Sequence, residues 1–110
     1  MHIEMAGLSD RGLGRLTNQD YLLFDQKLSL GVVADGVGGV DGGGQAARLA
    51  CEILFASWKD ALKKRAKTPM KLPVVDFMVQ SMQEADRAIR QRQKLSSELR
   101  EMATTMNGLI

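Results

Sequence analysis

Apolar positions in the first third of the chain gather in short runs, as strands do, and those after it follow the three- and four-residue rhythm of helices. Ile3 to Leu8, Tyr21 to Asp25 and Leu28 to Ala34 are short runs rich in apolar residues. Asp25-Gln26-Lys27 separates the last two as a tight connection, which predicts an antiparallel hairpin. From about Gly44 the period lengthens. Ala47, Ala50, Cys51, Leu54, Phe55, Trp58 and Leu62 fall on one face of a helix that runs to about Lys67. Thr68-Pro-Met-Lys-Leu-Pro73 reads as a linker, because each proline removes a donor and pushes its predecessor out of helical geometry. A second helix is expected from Pro73, with Val75, Met78, Met82, Ala85 and Ile89 as its buried stripe. The stripe is lost beyond Arg90, so a polar loop is expected there. Met102 to Ile110 then reads as a strand beginning. The pattern divides 1–110 into a β-rich segment (1–43), a two-helix segment (44–101) and the start of a core strand (102–110), an α+β fold.

Composition narrows the class. With 110 residues, 45% hydrophobic and 25% charged, the chain suits one globular domain rather than a disordered segment. The net charge of +2 hides an asymmetry: residues 1–60 carry 5 Lys/Arg against 8 Asp/Glu, a net −3, and residues 61–110 carry 10 against 5, a net +5. The basic charges of the second part, such as Lys63, Lys64, Arg87 and Arg90, have helical spacing and no interleaved aromatics, which describes a solvated helix face rather than a nucleic-acid surface. Cys51 is the sole cysteine and lies on the apolar helical face, as a packed thiol would in a reducing compartment. No apolar run reaches the length of a membrane span, and the N-terminus lacks a signal-peptide pattern. A cytoplasmic protein is expected.

Candidate chemistry gathers where the strands end. Asp20 and Asp35 sit at the ends of two short apolar runs, and Asp35 precedes the stretch Gly36-Val-Gly-Gly-Val-Asp-Gly-Gly-Gly44. A phosphate-cradling P-loop would need Gly-Lys-Ser/Thr where Gly44 is followed by Gln45 and Ala46. A dinucleotide loop would need a third glycine where Asp41 stands. A structural strand-to-helix turn with no ligand fits the glycines alone. A carboxylate at a strand end is rigidly aimed, however, and Gly36 offers a backbone carbonyl with no side chain to block a cation or its waters. Magnesium and manganese take such oxygen ligands. Arg15, five residues before Asp20, could present a planar fork to phosphate oxygens.

At these residues the chain resembles the metal-dependent protein phosphatases of the PPM (type 2C) family in its bacterial form. The matching stretches are Gly7-Leu-Ser-Asp-Arg-Gly, Arg15-Leu-Thr-Asn-Gln-Asp20, Gly31-Val-Val-Ala-Asp-Gly-Val-Gly-Gly39 and Met102-Ala-Thr-Thr105. The resemblance spans the whole chain but only the first part of the family's domain. It implies the N-terminal portion of an α-β-β-α sandwich, in which two antiparallel sheets pack face to face between helix pairs. It further implies hydrolysis of phosphoserine and phosphothreonine proteins by a metal-bridging water, opposing a Ser/Thr kinase, with no role for nucleic acid or membrane. Arg15 would grip phosphate, Asp20 would serve one ion, and Asp35 with the Gly36 carbonyl would serve two Mn2+ or Mg2+ ions. Thr104 and Thr105 would pack in a core strand, and His2 matches no family residue. Val40, Gly44 and Ala103 depart from the family's usual residues without touching these ligands.

Two further aspartates of the family's metal centre have no counterpart after Asp41. The expectation is therefore a fragment of a phosphatase domain, inactive alone. The alternatives are a degenerate phosphatase-like binding or regulatory module and an unrelated small α+β domain with a structural glycine turn.

Overall fold

A computed structural model describes residues 4–14, 17–38, 42–67 and 74–109. The order of elements is β1 (Asp20–Asp25), β2 (Leu30–Val37), α1 (Gly42–Lys67), α2 (Val74–Leu95), a 3-10 turn (Ser97–Leu99), β3 (Ala103–Thr104) and β4 (Asn107–Leu109). Antiparallel strands followed by two helices make this an α+β fold, as the hydrophobic periods predict.

Strand β2 is central. It pairs antiparallel with β1 from Asp20↔Asp35 to Asp25↔Leu30. On its other side it pairs with β3 at Gly36↔Thr104 and with β4 at Val33↔Asn107. Its residues alternate in burial, so Leu30, Val32, Ala34 and Gly36 face inward while Val33, Asp35 and Val37 face out. Helix α1 covers the inward face: Val32, Ala34, Ala47, Cys51 and Leu54 form the main core, with Tyr21, Leu23, Phe77, Met78 and Met106 packed around it. A second cluster of Ala46, Leu99 and Met102, flanked by Ile89, fastens the segment after α2 to the start of α1.

The hairpin is tied by its own side chains. Asp25 Oδ1 accepts from the Lys27 and Leu28 N–H groups at 2.8 and 3.2 Å, and Ser29 takes φ 52° to re-enter the ladder. The indole of Trp58 donates to the Leu28 carbonyl at 2.8 Å, and its ring meets Phe77 at 5.1 Å. One aromatic thus joins turn, α1 and α2.

Four expectations need correction. Residues 4–8 form no strand; they cross the outward face of the sheet, where a Cβ on Gly7 would meet Leu22 Cδ1 at 2.8 Å. Ile3 lies outside the described residues. The connection between β1 and β2 is longer, so β2 starts at Leu30 and continues to Val37. Helix α2 does not loosen after Arg90 but reaches Leu95, because Gln, Arg and Lys propagate a helix without an apolar stripe, and Arg92 and Lys94 suit the negative end of its dipole. The Gln93 amide also donates to the Arg100 and Met102 carbonyls at 3.1 and 2.8 Å, anchoring that last turn. Finally, the predicted stripe of α2 is covered only in part: Ala85 is buried and Met78 and Ile89 pack against the cores as expected, but Val75 and Met82 are exposed and Ser81 is buried in addition.

Candidate metal centre

The outward face of the sheet ends in two carboxylates on adjacent strands. Asp20 and Asp35 are register partners, and directly paired residues of antiparallel strands project to the same face. Both are exposed. The Asp35 N–H donates to Thr105 Oγ1 at 3.2 Å, and the Asp35 carbonyl accepts from the Thr105 N–H at 3.0 Å. The main-chain groups of Asp35 therefore point away from β1. That makes Asp20 and Asp35 a non-hydrogen-bonded pair, the kind whose Cα atoms approach to about 4.5 Å with side chains close together. Like charges directly opposite are destabilising, and a cation between them would convert repulsion into binding.

Glycines bring the helix onto this end of the sheet. A Cβ on Gly36 would collide with the Gly43 carbonyl and lie 2.6 Å from the Gln19 carbonyl, and a Cβ on Gly43 would lie 2.7 Å from Gln19 Oε1. Only two glycines allow the first turn of α1 to rest against β2. Gly38, at φ +134°, turns the chain between them, with no room for a side chain over Met102. The Gly38 carbonyl accepts from the Gly43 N–H at 3.2 Å and from Gln19 Nε2 at 2.9 Å. The Gly36 N–H donates to the Gln19 carbonyl at 3.1 Å.

The structure brings Asp20, Asp35 and Gly36 together, while Arg15 lies outside the described residues. Among the described residues no group of three or more His, Cys, Asp or Glu side chains could hold a metal ion. The donor set is thus two carboxylates and main-chain oxygen. All-oxygen chemistry fits a hard divalent cation but leaves its shell to be completed by water or other ligands.

Three supporting residues carried no site role in the sequence reading. Asn18 Oδ1 accepts from the Asp20 N–H at 3.0 Å, and its amide donates to the Ser9 hydroxyl at 2.7 Å. An asparagine two residues before a strand start is the available signal for such a turn. Gln19 is the second, through the contacts above. The third is Thr105, expected to pack in a core strand but exposed and bonded to Asp35. Cys51 is a packed thiol as expected: it is buried, its Sγ donates to the Tyr21 carbonyl at 3.8 Å, and burial pushes its pKa up to about 11.

Comparison with known proteins decides the family. A sequence profile for protein phosphatase 2C matches residues 13–110. The chain belongs to the protein phosphatase 2C family. Family membership removes the third alternative, an unrelated domain with a structural glycine turn.

Solved phosphatases of this family superpose on most of the chain. The Mycobacterium tuberculosis serine/threonine phosphatase PstP/Ppp matches with a TM-score of 0.77 and 26% identity over 94% of this chain and 40% of its own. The catalytic domain of PstP in complex with two manganese ions gives 0.70 and 25%, over 94% and 41%. The phosphatase MsPP of Mycobacterium smegmatis, in complex with cacodylate, gives 0.63 and 28%, over 92% and 36%. The chain therefore spans about two fifths of the length of these relatives. Curated protein sequences give no match. Among the described residues, no helix is long and apolar enough to cross a membrane.

Proposed function

We propose that this chain supplies the N-terminal half-site of a metal-dependent protein serine/threonine phosphatase. The observation that carries the reading is the Asp20↔Asp35 register pair, set at the sheet end beside the Gly36–Gly43 contact in a protein phosphatase 2C chain. The manganese-bound PstP relative supports a divalent cation at a site of this fold. Asp20, Asp35 and the Gly36 carbonyl would hold Mn2+ or Mg2+, two ions in a complete domain. When bound, such ions neutralise phosphate charge and lower the pKa of water.

The chain's own residues have separate tasks in this reading. Asp35 aims its carboxylate from a strand clamped by β3 and β4. Asp20 meets it from β1 with its amide fixed by Asn18. Arg15 offers a fork to the phosphate of a phosphoserine or phosphothreonine protein, the product of a Ser/Thr kinase. Nothing in this arrangement calls for nucleic acid or a membrane, and the expected compartment is the cytoplasm.

The 110-residue chain alone should give little or no manganese-dependent hydrolysis of an aryl phosphate, its ligand shell being half supplied. Translation of the reading frame downstream of Ile110 provides the decisive material. If it adds two aspartates, the longer polypeptide should hydrolyse a phosphothreonine peptide with manganese and lose that activity in Asp35→Asn. A frame without them, together with saturable phosphopeptide binding lost in Arg15→Ala and no turnover, would establish the degenerate binding module instead.

A further inference from the structure

Thr105 stands at a break in the ladder where no break in register occurs. Gly36↔Thr104 and Val37↔Ala103 on one side, and Val33↔Asn107, Val32↔Gly108 and Gly31↔Leu109 on the other, belong to a single alignment that sets Thr105 opposite Asp35. At that rung a side chain replaces the main chain. The Asp35 N–H donates to Thr105 Oγ1 at 3.2 Å, while the Thr105 carbonyl, the usual acceptor, takes the Thr104 hydroxyl at 2.8 Å. The Thr105 N–H completes the pair by donating to the Asp35 carbonyl at 3.0 Å.

Asp35 makes no ladder bond toward β1 at this rung, since its N–H and C=O both point to Thr105. At this rung its main chain is therefore held by one residue. A hydroxyl that accepts this bond also keeps a proton to donate, on the face that Asp20 and Asp35 share.

We propose that Thr105 is a positioning residue for Asp35, its hydroxyl setting the backbone from which the carboxylate meets a divalent cation. The proposal rests on the metal reading of Asp20 and Asp35 given above. A merely structural threonine would be replaceable by valine, which has the same shape and favours strands. A positioning hydroxyl would not, and serine would restore it.

The test compares the parent chain with Thr105→Val and Thr105→Ser by amide hydrogen exchange and by manganese titration, both read by NMR. Thr105→Val should speed exchange of the Asp35 amide by about tenfold or more while distant core amides keep their rates. It should also weaken manganese binding by roughly 10–100-fold, the loss usual when an outer-shell partner is removed. Thr105→Ser should restore both. If Thr105→Val fails to fold, Thr105→Ala against Thr105→Ser repeats the comparison with the methyl absent from both. Manganese broadening at Asp35 in the parent that is indifferent to loss of the hydroxyl would overturn the proposal and leave the metal reading intact. Exchange that responds to the hydroxyl without any manganese broadening in the parent would overturn the metal reading and leave the hold on Asp35 established.

Discussion

Neutralising Asp35 acts on stability and on binding in opposite directions. Because Asp35 and Asp20 form a non-hydrogen-bonded register pair, Asp35→Asn removes one of two like charges on the same face. Urea denaturation should show stability unchanged or raised by up to about 1 kcal/mol, while cation binding is lost. A fall of several kcal/mol would mean that Asp35 is a structural residue. Gly36→Ala should do the reverse. Its added methyl meets the backbone of Gly43 and the Gln19 carbonyl, neither of which can rotate away, so a loss on the order of 2–3 kcal/mol is expected. At Cys51, burial raises the thiol pKa from 9.0 to about 11, so the folded state favours the neutral thiol. The stability this contributes is complete below pH 9 and falls as pH rises from about 9 toward 11. Replacing Cys51 by Ala should flatten that part of the pH profile, and the native thiol should resist alkylation at pH 8.

Elements were legible where period and burial coincide. Strand β2 and helix α1 each bury one continuous face against the other, so their apolar letters repeat at 2 and at 3.6 and mark them plainly. Helix α2 buries Ser81 beside the expected Ala85, and a polar letter at a buried position carries no hydrophobic signal. Val75 and Met82 entered the expected stripe because they are apolar, although both face solvent. The segment Glu4–Leu8 looked like a strand by composition, yet it crosses a sheet face and gains no ladder. Within the site, the motif residues Asp20, Asp35 and Gly36 were visible, and Thr105 was misread because its role is a bond between strands 70 positions apart. At this scale the joint made by Trp58 is testable. Trp58→Phe deletes the bond to the Leu28 carbonyl but keeps a ring against Phe77, and should cost about 1–2 kcal/mol. Trp58→Ala should cost about 3–5 kcal/mol. No loss in Trp58→Phe would show that the indole N–H contributes nothing.

As a whole the molecule is covered on one side of its sheet and open on the other. Phe24 is 40% exposed, Val33 56% and Val37 64%, all on the outward face. The N-terminal segment crosses part of that face, leaving a groove of about 460 Å³ lined by Met5, Leu22, Phe24 and Val33. An apolar face of this kind is an association surface, so the 110-residue chain should self-associate or bind a hydrophobic dye. A compact monomer with a cooperative melt in sedimentation and calorimetry would contradict this. The carboxylate pair lies at the end of the same face.

Manganese titration of the chain followed by amide broadening tests the central claim most directly. Broadening confined to Asp20, Asp35, Gly36 and their neighbours, and lost in a folded Asp35→Asn, is the predicted result. No broadening at these residues, or broadening that persists unchanged in Asp35→Asn, would contradict a metal site built on Asp20 and Asp35.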